Sequence, residues 1–133
     1  MKYFQFYLIL LVIFLSLINC QGQKKNTMKI KYNEVNTIKG IYLKSDLTQK
    51  KNNQNAGYYK IKVNDTLEIC LLPPYNPKAI RPQEEIVEME GKMVHVTGII
   101  LHKTYLEKPG LENEPLSINK PCFITIESIR LIE

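Results

Sequence analysis

Two runs of alternating side chains, joined by a short polar link, limit this chain to a mainly β fold. In Tyr58-Tyr59-Lys60-Ile61-Lys62-Val63, an extended chain puts Tyr59, Ile61 and Val63 on one side and Lys60 and Lys62 on the other. The next run keeps the period, with Leu67, Ile69 and Leu71 on one face. A period of two buries one face of a strand, whereas a helix would scatter the same residues around its axis. Asn64-Asp65 between the runs reads as a two-residue hairpin turn. Pro73-Pro74 ends the second run, because proline has no N–H for the ladder.

The rest of the chain adds strands and one helix. Residues 35–47 carry Ile38, Ile41 and Leu43 around Gly40, and the polar stretch 48–55 follows as a loop. Pro82 at the first helical position, Glu84 and Glu85 in the first turn and Gly91 past the end predict a short helix. Ile86, Val87 and Met89 are its candidate core residues. Residues 92–103 make the clearest strand: Val94 and Val96 share a face, and Gly98 is placed for a bulge or a sharp coil. Residues 104–121, with Pro109-Gly110, Pro115 and Pro121, read as a long loop. In the last strand Ile124 and Ile126 alternate with Thr125 and Glu127.

The predicted order is therefore three strands, a short helix, a strand, a long loop and a final strand. It resembles the OB-fold. Glu90-Gly91-Lys92-Met93-Val94-His95-Val96-Thr97-Gly98 is similar to the G-K-x-V-x-V-x-G entry to strand four in many exported OB-fold proteins. The tRNA-anti-like and the small periplasmic bacterial OB-fold families share that entry. The resemblance spans residues 35–133. It implies a five-stranded OB-fold-like Greek-key barrel with one short helix between strands 3 and 4. It also implies ligand binding across strands two and three and the loops beside them. An open β-sandwich, or a β-meander with a helix across one end, is the alternative.

At the N-terminus Lys2 precedes a run, residues 3–18, that only Gln5 and Ser16 interrupt. This is a charged region followed by an apolar one, shorter than the ~20 residues that span a bilayer. It ends in Leu17-Ile18-Asn19-Cys20, which resembles the lipobox of bacterial prolipoproteins. Leu stands three residues before the Cys, and Asn19 replaces the commoner small residue. The resemblance implies a diacylglyceryl thioether on Cys20, cleavage before it and N-acylation of the new terminus. Two or three acyl chains, at ~0.8 kcal/mol per buried CH₂, anchor such a protein permanently. The expected organisation is a signal peptide (1–19), a lipidated tether (20–33) and the barrel domain (34–133). Gln21, in place of Asp, points to the outer membrane, facing the periplasm. An ordinary secretory signal with Cys20 as an incidental thiol is the alternative.

The formal net charge is +5, and +4 without Lys2. The excess is concentrated: residues 24–62 hold ten Lys against Glu34 and Asp46. A basic stretch suits nucleic acid or anionic lipid. Export removes nucleic acid as a partner, leaving a solvated tether or a contact with anionic headgroups.

With Cys20 acylated, Cys70 and Cys122 remain as an even pair and a candidate disulfide. Strand parity opposes it: Cys70 shares a face with Glu68, outward, and Cys122 with Ile124, inward. His95 and His102 have no C-x-x-C, H-x-x-x-H or paired-acid spacing around them, so no metal or other cofactor is expected. Glu84, Glu85, Glu88 and Glu90 solvate one helix, Glu112 and Glu114 lie in a loop, and no nucleophile-elbow or phosphate-loop motif occurs. No catalytic residue is assigned. Tyr42, Tyr58, Tyr59, Tyr75 and Tyr105 are candidates for a binding face or for the core. The expectation is a non-enzymatic binding module for an envelope protein, peptide or glycan, using Tyr58, Tyr105 and the loop at Gly110. The alternatives are a small metal- or redox-active protein using Cys70, Cys122, His95 and His102, or a toxin-immunity or stress-tolerance lipoprotein.

Overall fold

Strand β1 (Val35–Lys44) is shared between two neighbours, and that sharing closes a barrel. The computed structural model describes residues 28–46, 58–110 and 112–133. The expected signal peptide, Cys20, most of the tether and the 48–55 loop lie outside them. Residues Val35 to Ile41 pair antiparallel with β4 (Met93–Leu101), and Ile41 to Lys44 with β2 (Tyr59–Lys62). The strand curls at Gly40, where a Cβ would meet Ile61 Cγ2 at 2.5 Å and the Lys62 carbonyl oxygen at 2.7 Å. Only glycine admits that approach.

β2 pairs antiparallel with β3 (Glu68–Leu71), and β3 runs parallel to β7 (Cys122–Leu131). β7 returns antiparallel along β4, giving the closed order β1-β2-β3-β7-β4. The helix α1 (Gln83–Met89) lies between the third and fourth barrel strands. This is the expected mainly β, closed five-stranded barrel with a short helix between its third and fourth strands. Its interior holds Ile38, Tyr42, Ile61, Ile69, Leu71, Val94, Val96, Ile100 and Phe123, with Met89 of α1 closing one end. Ile30, ahead of β1, also packs on this core.

Several local expectations are corrected. The β2–β3 link is longer than Asn64-Asp65: Val63 N–H donates to Leu67 O, and Asn64 Oδ1 accepts from the backbone N–H groups of Thr66 and Leu67. An Asx turn of this kind replaces the tight hairpin turn because the Asn side chain supplies the acceptor. In α1, Met89 is buried and Ile86 half-buried, but Val87 is 73% exposed. Pro82 caps the helix rather than opening it. The long loop carries a ladder of its own, β5 (Thr104–Tyr105) against β6 (Ser117–Ile118). A short helical turn, Pro77–Ala79, precedes α1, with Asn76 Oδ1 accepting from Lys78 N–H.

The largest correction concerns β7. Against β4, its register skips Glu127 between Ser128 and Ile126, and Ile124 between Thr125 and Phe123. Each skipped residue is a bulge, and each resets the alternation. Phe123 is in the core, with Ile126, Ile129 and Leu131 packed against it, so the inward series is not a simple period of two. Cys122 consequently faces outward, on the same side as Cys70.

Candidate functional site

In register across the barrel, Leu43 pairs with Lys60, Lys60 with Cys70, Cys70 with Cys122 and Cys122 with Leu101. Paired residues on neighbouring strands point the same way, so this row lies on the outer surface. It is nevertheless partly dry. Lys60 is 7% exposed, Cys70 2% and Cys122 1%. The cover over the two cysteines includes the β5–β6 hairpin, whose Thr104 is fully buried. Thr104 Oγ1 donates to Lys120 O at 2.8 Å, tying β5 to the segment that leads into β7.

Lys60 keeps its charge under cover through two carboxylates. Its Nζ lies 2.9 Å from Asp46 Oδ1 and 2.9 Å from Glu68 Oε1. Glu68 Oε2 continues to Lys120 Nζ at 3.5 Å. Desolvation opposes the Lys60 ammonium, but the bonds to Asp46 and Glu68 outweigh it and raise its pKa. Asp46, bonded by Lys60, is held below the ordinary carboxylate range. A strip of alternating charge therefore crosses from the start of the β1–β2 loop over β2 and β3 to the β6–β7 link. A groove lined by Asp65 to Glu68 and Asn119 to Pro121 adjoins it through Glu68 and Lys120.

Of the tyrosines, Tyr42 is a core residue, with its ring 5.1 Å from that of half-buried Tyr59. Tyr58, half-buried, stands just before β2, and its carbonyl accepts from Ser45 N–H. Tyr105 is half-buried on β5. Tyr75 sits in the turn closed by Asn76 N–H to Pro73 O. Burial raises its pKa, and the neighbouring Cys122 and Tyr105 add to the rise. Tyr75 and Tyr105 thus share a neighbourhood beside the buried thiols, which the sequence separation of the two did not suggest. Gly110 lies exposed between β5 and β6 with φ +97°, after Pro109, the order of a type II turn.

His95 lies opposite Lys39 and Arg130 on the outer face of β4, while His102 sits at a ring-centroid distance of 4.9 Å from Tyr32. Among the described residues no group of three or more His, Cys, Asp or Glu could hold a metal ion. No helix among them is long and apolar enough to cross a membrane. Comparison with protein-family models, with curated proteins and with solved structures finds no match to this chain.

Proposed function

We propose that the protein is a lipid-anchored module of the bacterial envelope that binds a protein, peptide or glycan partner without transforming it. The observation that carries the reading is the Asp46–Lys60–Glu68–Lys120 strip on the outer face of the barrel, with half-buried Tyr105 on β5 and Tyr75 in the turn after β3 as the aromatic candidates. Tyrosine offers a flat apolar ring and a hydroxyl at low conformational cost, and the strip supplies donors and acceptors already fixed in place. Polar, extended ligands are matched by such a surface. Tyr58, just before β2, and the turn at Gly110, between β5 and β6, are the further candidates. The anchor rests on Leu17-Ile18-Asn19-Cys20, and acylation there would keep the barrel at the membrane, with the outer membrane facing the periplasm as the proposed site.

Cross-linking and affinity capture of the full-length protein from envelope membranes tests the binding face. The wild type is expected to retain a partner that the Tyr75→Ala/Tyr105→Ala and Tyr58→Ala/Tyr105→Ala variants lose. Identical partners for all three would sink the reading. Palmitate labelling that persists in Cys20→Ser would separately remove the proposed anchor site.

A further inference from the structure

The barrel closes through a narrow seam. β3 and β7 share only two residue pairs, Cys70 with Cys122 and Leu71 with Phe123, whereas β4 and β7 are paired from Val94 to Leu101. Leu71 and Phe123 fill the inner side of that seam, and the two cysteines occupy the outer side. Neighbouring strands lie about 4.7–4.9 Å apart, which places in-register Cα atoms inside the ~4.4–6.8 Å range of disulfides. We propose that Cys70 and Cys122 form a reversible intramolecular disulfide that clamps β3 to β7 across this seam.

Both sulfurs are thiols here, and both are buried. Cys122 Sγ donates to Phe123 O at 3.2 Å, and the buried Thr104 hydroxyl stands by both sulfurs. Burial pushes both thiols up. Lys120 and Lys60 favour the Cys70 thiolate against burial and Glu68, which makes Cys70 the attacking thiolate. No third ligand of the kind a thiolate metal site recruits stands beside them among the described residues. The oxidant is a small-molecule or protein disulfide. Cys70 thiolate attacks one of its sulfurs, forming a mixed disulfide and releasing one thiolate. Cys122 thiolate then attacks the Cys70 sulfur, and the second thiolate leaves. The pair loses two protons and two electrons, and the oxidant becomes two thiols.

Reversibility follows from the exchange chemistry: an external thiolate that reaches either sulfur runs both steps backwards. Access is gated by the β5–β6 hairpin, a ladder of two residue pairs that covers the sulfurs.

The full chain, incubated with excess oxidised glutathione and then alkylated under native and denaturing conditions, provides the test. A Cys70–Cys122 linked peptide in the non-reducing digest is expected, with a mass two hydrogens below the reduced pair. Dithiothreitol should then restore two alkylatable thiols while the far-ultraviolet circular dichroism stays unchanged. Cys70→Ala and Cys122→Ala should each abolish the linked peptide. Two thiols that persist through oxidation, glutathione adducts without the linked peptide, a link from Cys20 in its place, or thiols that titrate only after a chelator removes a soft metal would each overturn the proposal. The digest assigns each bond by residue, so the result stands apart from the lipid anchor and from the binding face.

Discussion

At the scale of single residues, the barrel depends on places where two backbones come closer than a side chain allows. Gly98 is the sharpest of them. A Cβ there would strike the Thr125 carbonyl oxygen and crowd the Ile126 Cα, both backbone groups that cannot swing aside. Gly98→Ala is therefore expected to cost about 2–3 kcal/mol, in the upper range for overpacking a tight site. Urea unfolding would read this as a lower midpoint at unchanged slope; a loss below about 0.5 kcal/mol would mean that β7 relaxes freely there. The sequence marked Gly98 as special but could not say where the extra residues would fall. Bulges belong to a pair of strands, and these sit on β7, at Ile124 and Glu127. Local periodicity carries no information about the partner's register, so Cys122 was read as inward when Phe123 holds that place. Tyr42 was ambiguous for a similar reason: a tyrosine is core or surface according to whether its hydroxyl finds a buried partner.

At the scale of elements, α1 is too short to be stable alone and is fastened to the barrel by one carboxylate. Glu85 takes a two-point contact from Arg81, Nε to Oε1 at 2.7 Å and Nη2 to Oε2 at 2.6 Å, and a third from the Tyr42 hydroxyl at 2.8 Å. Backbone bonds complete the attachment: Gly91 N–H donates to Tyr42 O, and Tyr42 N–H to Lys92 O. Arg81 and Glu85 are largely covered, so removing one partner strands the other's charge. Arg81→Ala should destabilise by about 2–3 kcal/mol, below the fully buried case because both groups retain some solvent. Arg81→Lys should recover only part, since an ammonium cannot reproduce the two-point fork. Equal stability of the three proteins in urea would dismiss the fastening. The helix itself was legible in Pro82, Glu84, Glu85 and Gly91, but its orientation was not: Val87 is exposed because the Tyr42–Glu85 contact sets the rotation. The β5–β6 ladder escaped notice because two residue pairs give no measurable period.

At the scale of the whole molecule, the strand order and the single helix were readable because alternation and breakers repeat along the chain. The site was readable only in part, because the row from Lys60 through Cys70 to Cys122 exists only once the barrel closes. That closure leaves several protonated groups dry, and their linkage gives stability a defined pH dependence. Burial, then the bond to Glu85, pushes the Tyr42 phenol far up, while burial raises both thiols. Unfolded Cys titrates near 8.5 and unfolded Tyr near 10. Above each of those values the unfolded chain binds fewer protons than the native one, so stability falls as pH rises. The loss is about 1.4 kcal/mol per pH unit for each such group until its folded pKa is reached. Lys60, raised by Asp46 and Glu68, adds a loss of the same sign above its unfolded value near 10.4. Below pH ~8 all of these contributions are present in full. Chemical denaturation of the reduced protein between pH 8 and 11 should thus show a decline that begins with the thiols and steepens near pH 10. Tyr42→Phe removes the phenol and should reduce the steepening near pH 10 to the share of Lys60 and the other raised tyrosines, at a cost of about 1–2 kcal/mol at neutral pH for the lost bond to Glu85. Oxidation of Cys70 to Cys122 should instead erase the part that begins near pH 8.5 and leave the Tyr42 part in place. A wild-type profile that stays level to pH 11 would mean that Tyr42 and the thiols titrate alike in the folded and unfolded chains.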